Sequence, residues 1–103
     1  MQGVIMRSLA EIKEVISSHL NEIREKLGVK ELGVFGSYVR GEQSEISDID
    51  VLVEFEQGKK TFDNYMDLKF YLEDLLGVEV DLVIKSAIKP KLKEYILKEV
   101  VYV

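Results

Sequence analysis

Apolar residues recur at spacings of three and four along residues 8–27, at Leu9, Ile12, Val15, Ile16, Leu20, Ile23 and Leu27. That period predicts one amphipathic helix, started by Ser8 as N-cap and stopped by Gly28. Residues 31–35 form a short apolar run that ends at Gly36, the pattern of a buried strand, and residues 37–41 predict a brief helical turn. Residues 48–55, rich in Val, Ile and Leu, read as a second strand. A longer helix is predicted over 62–76, with Phe62, Tyr65, Leu68, Leu72, Leu75 and Leu76 on one side and Gly77 as its stop. Alternation marks residues 78–84 as a third strand, with Val78, Val80, Leu82 and Ile84 on one face and Glu79, Asp81 and Val83 on the other. A lysine-rich helix over 86–99 and an apolar tail over 100–103 close the pattern. The order helix, strand, strand, helix, strand, helix predicts an α/β fold in which a small mixed β-sheet is backed by helices.

Composition narrows the class of protein without naming a function. At 103 residues the chain has room for one domain, and 47% hydrophobic with 32% charged residues suits a globular protein. No apolar run has the length of a membrane span, and the N-terminus lacks the basic-then-apolar layout of a signal peptide. A cytoplasmic protein with no membrane partner is the expectation. The absence of cysteine excludes disulfides, thiolate zinc sites and cysteine nucleophiles, and a single histidine, His19, argues against a histidine-rich metal site. A net charge of −5 argues against general nucleic-acid binding, which needs positive charge to displace counterions from phosphates. The charge is uneven. Residues 41–58 hold six acids and no Lys or Arg, whereas residues 85–98 hold five lysines and one acid. Solvated surface is the ordinary reading of both blocks.

Asp48 and Asp50 depart from that reading. Lying two apart on a predicted strand they share a face, while Ile49, Val51 and Val53 point to the other. Paired anions on a half-buried face repel one another and persist only if a cation or nearby Arg and Lys neutralise them. Asp81, in the middle of an apolar strand, repeats the anomaly. Three carboxylates without histidine or thiol suit a hard cation such as magnesium, whose remaining positions are filled by water and substrate phosphates. An Asp-x-Asp on a strand also occurs by chance in many proteins, usually on an exposed face. Gly36 and Ser37 add to the pair: they follow a buried strand and open a helical turn, where backbone N–H groups meet phosphate closely.

Together, residues 36–53 read GSYVRGEQSEISDIDVLV, with ten residues between Gly36-Ser37 and Asp48-Ile49-Asp50. This segment resembles the signature of the nucleotidyltransferase superfamily related to DNA polymerase beta, in particular its minimal, single-domain members. The VEVDLV strand at 78–83 and the closing segment 90–103 extend the resemblance over the whole chain, read as one minimal nucleotidyltransferase domain at 1–103. Many such proteins are antitoxins paired with a helical HEPN-domain ribonuclease toxin, and some resemble enzymes that transfer AMP from ATP to a toxin tyrosine. The resemblance implies that Gly36 and Ser37 hold the β- and γ-phosphates of ATP. It implies that Asp48 and Asp50 carry two magnesium ions, with Asp81 completing the second site and standing as candidate general base. It also implies a HEPN-type partner. Two rival readings stay open: transfer to a small-molecule or RNA acceptor, and a non-catalytic antitoxin that inhibits by binding.

Neighbouring residues carry weaker signals. Arg40 can touch phosphate or brace the loop against an acid, and bracing is favoured. Ser47 is expected to cap the acidic strand, and Tyr38 to lie near the nucleotide. Lys85, Lys89 and Lys91 read first as a solvated helix face, and His19 as exposed. Tyr65, Tyr71 and Tyr95 suit core or interface packing. Any surplus among Tyr95, Ile96, Leu97, Val100, Val101, Tyr102 and Val103 beyond what the sheet needs would form an exposed interaction patch.

Overall fold

A computed structural model of the chain describes residues 8–42 and 48–103. The first helical stretch is two helices, not the single one expected: α1 spans Leu9–Ser18 and α2 spans Leu20–Leu27. Ser8 starts α1 through a full capping box, accepting from the Glu11 N–H at 3.2 Å while its own N–H donates to Glu11 Oε1 at 3.0 Å. The break falls at His19, whose φ of −112° and ψ of 4° leave the helical region. There the Ser18 hydroxyl donates to the Val15 carbonyl at 2.8 Å, a local bond that competes with the helical ladder. His19 is therefore half-buried at a joint, edge-on to the Tyr71 ring, and not an exposed helix residue. Ile12, Ile16, Ile23 and Leu27 stay in phase across the joint and are all buried. Gly28, at φ 68°, ends α2 in the left-handed conformation as expected.

Strand β1 covers Val29–Phe35, longer at its start than expected, and is followed by the short helix α3, Ser37–Arg40. Strand β2 is Ile49–Phe55, and Asp48 stands just before it. The cap expected of Ser47 lies outside the described residues. Helix α4 spans Phe62–Leu76 as predicted, with Thr61 as N-cap and Gly77 as left-handed C-cap. Leu68, Leu72 and Leu76 fill the core, but Phe62 at its first turn is 78% exposed. Strand β3 is Val80–Ile84. The lysine-rich segment is not one helix: a 3-10 turn at Lys85–Ala87 precedes α5, Pro90–Glu99. Proline disfavours helical backbone at the residue before it, so Lys89 is extended (φ −63°, ψ 143°) and Pro90 opens α5. The apolar tail contains a further strand, β4, Val101–Tyr102.

The four strands form one mixed sheet in the order β3-β2-β1-β4. Strand β2 runs parallel to β3 and antiparallel to β1, and β4 is antiparallel to β1. Helices α1, α2 and α4 cover one face, burying Leu32, Val34, Ile49, Val51, Val53, Val80 and Leu82 against Ile12, Ile16, Ile23, Leu68 and Leu72. Side chains on α4 also close the outer edge of β3. Glu73 accepts from the Val80 N–H at 3.0 Å, Lys69 donates to the Val80 carbonyl, and the Tyr65 hydroxyl donates to the Leu82 carbonyl at 2.6 Å. Backbone groups that would otherwise template another strand are thereby occupied. Among the described residues no helix is long and apolar enough to cross a membrane.

Candidate functional site

The site lies on the sheet face that α1, α2 and α4 leave uncovered, and strand register organises it into rows. Phe35 pairs with Asp50 and Asp50 with Asp81; Gly33 pairs with Leu52 and Leu52 with Val83. In-register neighbours share a face, so Asp50 and Asp81 stand side by side at one end and Leu52 lies between their row and the next. Leu52 is only 1% exposed, and the Val100 side chain fills the space that a Cβ on Gly33 would need. At the other end stand Glu31 and Glu54, paired across β1 and β2.

The two acidic rows differ in how their charge is met. Lys85 reaches both Glu31 (3.4 Å) and Glu54 (3.8 Å) and lies 5.7 Å from the centre of the Tyr102 ring. It is thus a paired residue of the sheet face and not the solvated helix lysine expected. Asp50 and Asp81, among the described residues, make no ion pair with Lys or Arg. Burial, then the charges of Asp81 and Asp48, push the Asp50 carboxyl up to about 6; Arg40 opposes the rise. Asp48 and Asp81 are exposed.

The expected metal ligands are therefore brought together only in part. Asp50 and Asp81 adjoin, Asp48 bears on Asp50 by its charge, and no cluster of three or more acidic or histidine side chains closes into a metal cage among the described residues. That arrangement fits magnesium better than a metal held wholly by protein. Magnesium keeps several waters and is bound by one or two carboxylates together with substrate phosphates. Oxygen-only donors carrying excess negative charge are the chemistry it selects.

Gly36 links this row to the turn. Its φ of 82° with ψ of −149° suits glycine alone, and a Cβ there would collide with the Asp50 carboxylate. The Gly36 peptide therefore lies directly against Asp50, and Ser37, half-buried, opens α3 beside it. Tyr38 is buried in the core at 5% exposure. Arg40 donates from Nε to Glu42 at 2.8 Å and from Nη1 to Glu99 at 2.7 Å, a bracing geometry.

Sequence reasoning missed Glu99. Its second oxygen accepts from the Gly36 N–H at 2.7 Å, so the last residue of α5 holds both the turn and Arg40. One signal was available: an acid in the last turn of a helix faces the negative end of the helix dipole and needs a compensating partner.

Comparison with known proteins places the chain in a family. Residues 16–103 match the family described as "Nucleotidyltransferase domain". The protein adenylyltransferase MntA of Thermococcus cleftensis is 50% identical over 98 residues, covering 95% of this chain and 98% of the relative. A solved structure assigned to a minimal nucleotidyltransferase superposes with a TM-score of 0.71 at 40% identity, over 89% of this chain and 88% of the other. A second, of a tri-AMPylated HEPN toxin from Shewanella oneidensis in complex with its MNT antitoxin, gives a TM-score of 0.61 at 17% identity, over 87% and 70% of the two chains. At that identity the likeness is one of fold.

Proposed function

Because the chain belongs to the nucleotidyltransferase domain family, we propose that it transfers AMP from magnesium-bound ATP to a hydroxyl presented by a partner protein. The observation that carries this is the contrast between the acidic rows. Glu31 and Glu54 have Lys85, whereas Asp50 and Asp81 face each other with no Lys or Arg ion pair among the described residues and adjoin a glycine-serine turn. Two adjacent carboxylates without a basic partner either share a proton or are completed by a cation, and the glycine-serine turn beside them favours the cation.

In this reading Asp48, Asp50 and Asp81 would hold two magnesium ions, and the Gly36-Ser37 turn would hold the β- and γ-phosphates. Bound magnesium would neutralise the triphosphate and stabilise charge on the leaving pyrophosphate. The chain's own residues position the reactants. Ser37 offers its hydroxyl to a phosphate oxygen, and Gly36 admits the phosphate close to the backbone. Arg40 contributes through the turn it braces. The acceptor oxygen bonds to the α-phosphorus as the bond to pyrophosphate breaks, and Asp81 receives the acceptor's proton. Catalysis is then placement and charge neutralisation.

The acceptor we propose is a tyrosine of a helical HEPN-type ribonuclease toxin, for which this protein acts as antitoxin. Support comes from the adenylyltransferase named in Thermococcus cleftensis and from the AMP-modified HEPN toxin bound to its MNT antitoxin in the Shewanella oneidensis complex. The test is to identify a HEPN-type reading frame beside this gene and co-express the two proteins, followed by intact-mass measurement. A gain of one or more AMP units on the toxin, lost in Asp48→Asn and Asp50→Asn, is the expected result. An unmodified toxin that is neutralised equally well by Asp48→Asn would overturn the enzymatic reading and leave inhibition by binding.

A further inference from the structure

We propose that Glu99 is a positioning residue for the transfer reaction, acting through the nucleotide-binding turn and making the C-terminal helix part of the active-site frame. The inference rests on the reading that Gly36-Ser37 receives the triphosphate. Glu99 bridges two groups of that segment: Oε2 accepts the Gly36 N–H and Oε1 accepts Arg40 Nη1, each at 2.7 Å. Burial alone would raise its carboxyl, but Arg40 and the Gly36 N–H outweigh that and hold it below the usual carboxylate range. The anion is thus the form these donors select.

What the bridge fixes is the orientation of one peptide. Gly36 is pressed against the Asp50 carboxylate on one side and tied by its N–H to Glu99 on the other. Tilting that peptide would move Ser37 and the start of α3 with it, and would change the space around Asp50. Arg40 continues the chain of contacts through Glu42, so the helix α3 is held at its N-cap, Gly36, and at its last residue, Arg40.

A carboxylate on a backbone N–H at a phosphate-binding turn has a rival role, as an anion that occupies the seat until triphosphate expels it. The anchoring of Glu99 argues for the brace. Helix α5 is closed at its C-terminal end, directly after Glu99, by the bond from the Val100 N–H to the Ile96 carbonyl at 2.8 Å. On its C-terminal side β4 pairs with β1, and the Val103 N–H donates to the Leu32 carbonyl at 2.9 Å. Val100 itself packs over Gly33. A residue pinned on both sides has little room to swing away.

The test compares wild type with Glu99→Gln, Glu99→Ala, Arg40→Ala and the Glu99→Ala/Arg40→Ala double variant in the full chain. Transfer to the HEPN-type partner is measured across ATP concentrations, Mg-ATP binding is measured by calorimetry without partner, and melting temperatures are recorded. Loss of a charge-assisted hydrogen bond predicts a KM for ATP raised about 10- to 100-fold in Glu99→Ala, less in Glu99→Gln, with kcat changed far less. The double variant should be no worse than Glu99→Ala, because both residues act through one bridge. Unchanged KM and ATP affinity in folded Glu99→Gln and Glu99→Ala would overturn the proposal, and tighter ATP binding would identify a plug instead. Failure of the wild type to modify the partner, with Mg-ATP still bound, would defeat the proposed acceptor while the affinity comparison still decides the role of Glu99. A wild type that binds no Mg-ATP defeats both.

Discussion

Asp50 is the residue at which folding and function oppose each other most directly. Its carboxyl is pushed from 3.8 to about 6 by burial and by Asp81 and Asp48, so the folded protein holds this proton more tightly than the unfolded chain. The stabilising contribution is then full below about pH 4 and is lost as pH rises through 6. Metal-free protein should therefore melt lower at pH 7.5 than at pH 4.5 as far as this group is concerned. Asp50→Asn should remove that dependence and stabilise the metal-free protein by about 1 kcal/mol at neutral pH, after allowance for solvent screening, while abolishing transfer. Melts in chelator at both pH values check it; an Asn variant that melts lower than wild type at pH 7.5 would refute the strain. Gly36→Val tests the neighbouring position. Its side chain would enter a backbone region reserved for glycine and strike the Asp50 carboxylate, so ATP titration should show binding lost and denaturation should show stability lowered by about 2 kcal/mol or more. The Asp50 anomaly was legible in the sequence because a carboxylate at a strand position breaks the apolar alternation. The closeness of Gly36 to Asp50 was not, since it depends on register between β1 and β2.

At the scale of elements, the outer edge of β3 offers the clearest test. Glu73 and Lys69 meet the N–H and carbonyl of the same residue, Val80, and pair with each other at 3.2 Å. The Val80 N–H, then Lys69, hold the Glu73 carboxyl low against the opposing effect of burial. Glu73→Ala should leave that N–H without its acceptor and cost about 1–3 kcal/mol, with amide exchange at Val80 faster than in the wild type. Exchange unchanged at Val80 would mean the edge is protected by something else. Most elements were readable because their apolar period matches the face they bury, as in α4 and β3. Two breaks were not. The joint at His19 leaves Ile16 and Ile23 in phase, so hydrophobic period is blind to it. The separation of Lys85–Ala87 from α5 was visible in principle through Pro90, whose effect on Lys89 outweighs the helical propensity of its lysine-rich surroundings. Strand β4, at Val101–Tyr102, is too short for any pattern and exists because β1 presents an open edge to it.

For the whole molecule, the consequence is a sheet with one face filled by helices and the other carrying the proposed chemistry. Of the apolar tail, Val100 and Val103 serve the sheet, packing over Gly33 and against the core. Helix α5, by contrast, has no buried residue, and Leu92 (56% exposed) and Tyr95 (78% exposed) lie three apart on it. Residues 92, 95 and 99 follow the i, i+3, i+7 spacing of a single helical stripe, so this apolar surface leads to the carboxylate that grips the nucleotide turn. A partner that delivers an acceptor hydroxyl to Asp81 and covers this stripe would bury apolar surface beside the reacting atoms. Leu92→Glu/Tyr95→Glu should therefore weaken the complex with the HEPN-type toxin by about 100-fold or more, since buried aromatic anchors commonly contribute 2 kcal/mol or more to such interfaces. Mg-ATP binding, which needs neither side chain, should be unchanged. Calorimetry on the two ligands separates these effects. A double variant that binds the toxin as wild type does would move the docking surface elsewhere, whereas loss of ATP affinity alongside toxin affinity would show that the stripe supports the nucleotide turn and not only the partner.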